Sequence, residues 1–226
     1  MKRQTKLPPA VVQVTWPNNR RARGLGFVAS GEYVVTAAHN LPPPPNFTKG
    51  VYNYDPLVVE TSTGETLEMW PVFVDPCADL AVLAISDEGL EAGESLNEVV
   101  PLQIAWRPTV GSHSGTVGTH DRGIVKVVYD VRTTSTRITF TGKAPFEGGT
   151  SGGPVLDQKG RAMAVVSQTT SADGHRQGWG PALGECLPTW LREKIARYEE
   201  ASEVMPTKPR PQKKIQKVRR PRTSRR

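Results

Sequence analysis

A chain of 226 residues, 37% hydrophobic and 23% charged, is too short for several large domains. It suits one domain or two packed lobes with a core of their own. Its 21 Gly and 20 Pro favour short strands joined by turns over a helical bundle, and no apolar run approaches the roughly eighteen residues of a membrane-spanning helix. The formal charge of +7 is uneven: ten of the 29 Lys and Arg lie in 206–226, which has no acid, leaving 19 basic against 22 acidic residues, a net of −3, over 1–205.

Residues 1–8 form a basic N-terminal extension without the apolar stretch and cleavage site of a signal peptide, so a cytoplasmic or intracellular location is expected. Pro9 to Trp16 reads as a strand through Val11, Val12 and Val14, Asn18 to Arg21 as a polar turn, and Gly26 to Ala29 as a second strand. Ser30-Gly31 turns the chain into a third strand, Tyr33 to Thr36, which delivers Ala37, Ala38 and His39. Pro42 to Pro45 lack backbone donors and belong in a surface loop. Strands are further expected over 57–61, 67–74, 80–85 and 102–106, with the acidic residues 86–98 as a solvated loop. After Pro108 the pattern resumes over 116–119, 123–131, 136–141, 154–156, 162–167 and 178–183. Two successive sets of about six short strands suggest two barrel-like lobes.

From Pro188 the period changes. Leu187, Leu191, Ile195 and Tyr198 recur at helical spacing, a C-terminal amphipathic helix that should pack across the barrels with Trp190 and Tyr198 in the core. Residues 205–226 keep no such periodicity and read as a disordered basic tail with Pro206, Pro209, Pro211 and Pro221 among its cations. The tail is a candidate arm for nucleic acid or another anionic partner through counterion release, although no aromatic residue offers base stacking. Anionic lipid, an acidic protein surface, a Pro-binding groove and a solvated extension without a partner stay open for it. Cys77 and Cys186 make no disulfide framework and have no metal-site spacing, so two buried unpaired thiols, and no metal or cofactor, are expected.

Three segments carry candidate chemistry: Val35-Thr36-Ala37-Ala38-His39, Asp79-Leu80-Ala81-Val82-Leu83, and Gly148-Gly149-Thr150-Ser151-Gly152-Gly153-Pro154. A serine hydroxyl is a weak nucleophile at neutral pH and needs an adjacent base that a third group orients. It also needs backbone N–H groups aimed at the developing oxyanion, here those of Gly149 and Ser151. Glycines around Ser151 allow the sharp turn this requires and a close approach of substrate. His39 follows an apolar strand and two small alanines, whereas His113, His120 and His175 lie in turn-like surroundings. Asp79 opens an apolar strand, where a buried carboxylate needs a partner; its rival Asp75 precedes Pro76, which suggests a loop.

In this order the segments resemble the chymotrypsin-fold, trypsin-like serine proteases, and especially the bacterial branch that includes the HtrA protease domain, here without a PDZ module. The resemblance runs from about Pro9 to Val204 and includes Arg122-Gly123-Ile124-Val125 and the hairpin Gly160 to Ser167. It implies an all-β fold of two six-stranded antiparallel barrels: a first lobe over 9–107 with His39 and Asp79, a second over 108–187 with Ser151, the helix over 188–204 and the tail. It further implies a serine endopeptidase that cleaves protein or peptide substrates through an acyl-enzyme, with Ser151 attacking, His39 as base and Asp79 orienting it. Ser167, Gln168 and Thr169 match the segment that pairs with substrate as an added strand, and Lys143 to Phe146 match one wall of the specificity pocket. Thr150 replaces the carboxylate that zymogen-activated members carry before the nucleophile, so activity should not require a freshly cut N-terminus. The rival readings are a catalytically silent protease fold that binds an anionic partner through its tail, and a viral-type polyprotein-processing protease.

Overall fold

The structure, a computed structural model, describes residues 9–17, 19–42, 47–48, 51–52, 54–96, 98–119, 123–132, 136–142, 149–172 and 175–204. Lys143, Phe146, Pro43 to Pro45 and the tail lie outside them. The first lobe uses β1 (Val11–Trp16), β2 (Asn19–Val28), β3 (Tyr33–Thr36), β6 (Leu57–Glu60), β7 (Thr66–Asp75) and β8 (Leu80–Ile85), with β4 (Phe47–Thr48) and β5 (Val51–Tyr52) as a separate short hairpin between β3 and β6. The six close into a barrel in the order β1-β2-β3-β8-β7-β6, every neighbour antiparallel. The polar turn expected at Asn18 to Arg21 is a correction: Asn19 already pairs with Trp16, and Asn19 to Arg21 belong to β2.

β3 and β8 are buried on both faces, which is why they read as unbroken apolar runs instead of alternating ones. Val34, Ala81, Leu83 and Ile85 point into the first barrel with Val12, Val14, Leu57 and Met69. Tyr33, Val35, Leu80, Val82 and Ala84 point the other way, into a second core shared with Leu156, Val165, Leu183, Leu187, Leu191 and Ile195. This second core joins the lobes and the terminal helix.

Two sequence expectations fail in the connection between the lobes. Residues 86–98 are not merely a solvated loop. Ser86 accepts the Gly89 N–H at 3.0 Å and, with Asp87 and Glu88 in the first turn, starts the short helix α1 (Asp87–Glu91). Residues 102–106 form no strand; Ile104 makes one isolated bridge to Ala162 while its side chain enters the interlobe core.

The second lobe contains β9 (Gly111–Thr119), β10 (Gly123–Val131), β11 (Arg137–Gly142), β12 (Pro154–Leu156), β13 (Ala162–Val165), β14 (Gln168–Ala172) and β15 (His175–Pro181). Their order is β13-β12-β9-β10-β11-β15-β14. The two end strands are successive stretches of chain, broken at Val166-Ser167, so the sheet curls into a half-barrel around Val117, Val127, Ile138, Phe140, Val155 and Met163. The chain then forms α2 (Leu183–Cys186), an element the sequence reading did not foresee, and α3 (Thr189–Val204). The architecture is the all-β double barrel with a C-terminal helix that the motifs imply. Leu191 and Ile195 bury α3, whereas Trp190, expected in the core, is exposed and meets the Tyr33 ring edge-on at 6.2 Å. Both cysteines are free, but Cys77 is exposed and Cys186 half-buried, which corrects the expectation of two buried thiols. No described helix is long and apolar enough to cross a membrane.

Candidate active site

β3 and β8 are antiparallel neighbours with Thr36 opposite Ala81. The residue that leaves β3 three positions later, His39, and the one that enters β8 two positions earlier, Asp79, therefore emerge at the same end of the barrel. His39 lies in a 3-10 turn, Ala38–Asn40. Asp79 is presented by a turn in which the Asp75 carboxylate accepts the N–H groups of Cys77 and Ala78, each at 2.9 Å. That is the role of the rival carboxylate. Asp79 itself has φ 59°, a left-handed conformation that Asp tolerates better than most non-Gly residues.

The Asp79 carboxylate accepts the His39 backbone N–H at 2.9 Å and meets His39 Nδ1 at 2.8 Å. Ser167 Oγ donates a third, short hydrogen bond to the same Oδ2. An ionised carboxylate only accepts, so Nδ1 carries the ring proton and Nε2 keeps its lone pair. Burial alone would raise the Asp79 pKa, but the bonds from His39 and Ser167 outweigh it and hold the group below its ordinary 3.8. The same hydrogen bond raises the His39 pKa above 6.5 against the opposing effect of partial burial. His39 stays 47% exposed and Asp79 17%, an imidazole open to solvent on a shielded carboxylate.

Ser151 sits in a turn between β11 and β12. Gly149 (φ +90°) and Gly152 (φ +82°) take conformations that disfavour any side chain. The N–H groups of Gly152 and Gly153 are committed, to Val166 O at 2.7 Å and Thr150 O at 3.0 Å. Gly149 and Ser151, whose N–H groups are the expected oxyanion donors, belong to the same turn. The Ser151 carbonyl crosses to the first lobe, where it accepts the Leu25 N–H at 2.7 Å and the Asn40 side-chain amide at 3.0 Å. The turn is thereby docked on the residue that follows His39.

Of the substrate-strand candidates, Gln168 and Thr169 open β14, which pairs with β15 and is the last strand of its sheet among the described residues. Trp179 Nε1 donates to Gln168 Oε1 at 3.1 Å. Ser167 differs from its expected part: it is buried, its N–H is bound to Trp179 O at 3.0 Å, and its hydroxyl serves Asp79. Neither that role nor the Asn40 contact was read from the sequence. The one available cue was a pair of small polar residues beside apolar strand ends.

The family model described as "Trypsin-like peptidase domain" matches residues 24–165, which include His39, Asp79 and Ser151. The chain belongs to the trypsin-like peptidase family. This places it among the serine-type endopeptidases. Solved structures agree on the fold of this trypsin-like domain. A serine endoprotease of Yersinia pestis is 22% identical with a TM-score of 0.55, covering 85% of this chain and 64% of its own. The active form of the Rv3671c protease of M. tuberculosis is 22% identical with a TM-score of 0.56, covering 84% and 81%. A serine protease of human pathogenic astrovirus is 19% identical with a TM-score of 0.54, covering 80% and 93%. The chain thus spans about two-thirds of the Yersinia protein. No curated protein matches the sequence.

Proposed function

We propose that this trypsin-like domain hydrolyses peptide bonds with Ser151 as nucleophile, His39 as general base and Asp79 as the group that orients and charges the base. The observation that carries the reading is the Asp79 clamp: one carboxylate holds both the main chain and the Nδ1 of His39. A carboxylate that only capped a turn would have no reason to fix the ring's tautomer. With Nδ1–H tied to Asp79, Nε2 is the basic nitrogen that takes the Ser151 proton during attack and returns one to the leaving amine. The N–H groups of Gly149 and Ser151 would stabilise the tetrahedral oxyanion. Water then hydrolyses the acyl-enzyme by the same route. Substrate would add to β14 as a further strand beside Gln168 and Thr169. Residues 206–226 are a separate proposal, an anion-binding arm that rests on their ten cations alone.

The test is labelling with a fluorophosphonate probe of the parent, Ser151→Ala and His39→Ala. Label on the parent and on neither variant is the expected result. A well-folded parent that takes no label would refute the assignment.

A further inference from the structure

Asn40 is buried at 1% exposure, yet its Oδ1 has no hydrogen-bond partner among the described residues. An orphaned buried acceptor destabilises a fold, so an amide at this place calls for a function that a small apolar residue could not supply. Its nitrogen lies 3.0 Å from Ser151 O, 3.0 Å from Thr36 Oγ1 and 3.4 Å from Leu25 O. Thr36 Oγ1 gives its own hydrogen to Leu25 O at 2.7 Å, which leaves a lone pair toward Asn40. All three neighbours therefore act as acceptors, and a flipped amide would set oxygen against oxygen. The donor faces Ser151 by necessity.

The surroundings are shaped around this amide. A Cβ at Gly24 would fall 2.3 Å from Asn40 Nδ2, and one at Gly152 would fall 2.7 Å from it and 2.0 Å from Leu25 O. The Asn40 main chain is fixed as well, with its carbonyl accepting Trp16 Nε1 at 2.8 Å. Two consecutive residues of one 3-10 turn thus hold both sides of the site. His39 binds Asp79 through its N–H, and Asn40 binds the Ser151 carbonyl across the crevice.

We propose that Asn40 is a positioning residue that sets the distance between the serine turn of the second lobe and the base carried by the first. The inference rests on Ser151 being the nucleophile. A displacement of about 1 Å between reacting groups can cost up to a hundredfold in rate. The Leu25 N–H still holds the carbonyl when Asn40 is lost, so a smaller loss of about tenfold is expected.

The experiment follows inactivation by a fluorophosphonate probe in the parent, Asn40→Ala, Thr36→Val and Ser151→Ala. Asn40→Ala should lower the limiting inactivation rate about tenfold and leave half-saturation within about twofold. Saturating label should stay at one per folded chain, and the pH midpoint should not move, because the Asn40 side-chain amide bonds Ser151, Thr36 and Leu25 and not the His39–Asp79 pair. A merely structural residue would give the opposite pattern, a smaller labelled fraction reacting at the parental rate. That pattern, or an unchanged rate, overturns the proposal. If Asn40→Ala does not fold, Thr36→Val decides, since it removes only the hydroxyl that orients the amide and should show the same signature with a smaller loss. A parent without label, or label that persists in Ser151→Ala, instead sinks the nucleophile assignment and this inference with it.

Discussion

Removing one hydroxyl tests the electrostatics of the site most directly. Ser167→Ala deletes the donor to Asp79 Oδ2 and leaves both His39 bonds in place. A hydrogen bond to a charged group contributes about 1.5–3 kcal/mol. Because Oδ2 still accepts from His39 Nδ1, it is not orphaned, and the lower end, about 1.5 kcal/mol, applies. For a chain of this size that is a fall in Tm of about 3–6 °C at pH 7. The loss depends on pH in a defined direction. The folded-state pKa of Asp79 is depressed, so the stability it supplies is present above 3.8 and vanishes as the pH falls through the folded value. Parent and variant should therefore converge in acid. Activity responds through the ring: with Ser167 gone, Oδ2 becomes more basic, the imidazolium is better stabilised, and the acid limb of kcat/KM moves to higher pH by less than about one unit. Melting curves from pH 7 downward into acid, with a pH–rate profile on a fluorogenic peptide, read both effects. An acid limb that stays put or moves down, or a stability loss that does not shrink as the pH falls, would refute the reasoning.

Further predictions rest on single features. In the parent, the acid limb of kcat/KM should lie above pH 6.5, because Asp79 raises the His39 pKa and the base acts only when neutral; a midpoint at or below 6.5 in a pH–rate profile contradicts this. Gly152→Ala should abolish fluorophosphonate labelling, since its φ is +82° and a Cβ would lie 2.0 Å from Leu25 O. Gly160→Ala, at φ +77° with no atom within 4 Å, should cost only about 1–2 kcal/mol of backbone strain in chemical denaturation and keep full labelling. Ile195→Ala, on the fully buried face of α3, should lose about 2–5 kcal/mol by the same measurement, and a loss below about 1 kcal/mol would show that the helix does not clamp the lobes.

Much of the fold was legible because its signals are local. The apolar runs of β1, β3 and β8 and the change to helical spacing after Pro188 are patterns over four to sixteen residues, and each became the expected element. Ser86 with Asp87 and Glu88 was an equally local helix start, missed because acidic composition was read as solvation. The apolar residues 102–106 misled for the opposite reason: Leu102, Ile104 and Trp106 pack as a connecting segment between the lobes, with a single bridge from Ile104 to Ala162 in place of a strand. Trp190 and Cys77 show that an apolar or sulfur-bearing side chain in a good pattern still takes its exposure from what lies across from it.

What the sequence by itself determined is which residue types follow which strands: an imidazole after β3, a carboxylate before β8, and a glycine-flanked serine before β12. Local rules govern these placements, since strand ends and tight turns depend on a few neighbouring residues. Only the tertiary structure decided how the groups are held. The hydroxyl of Ser167 reaches Asp79 across 88 positions, and the amide of Asn40 reaches Ser151 across 111. Contacts at such separation leave no periodic trace in the chain, because a single side chain makes each of them once, after two barrels have closed and docked.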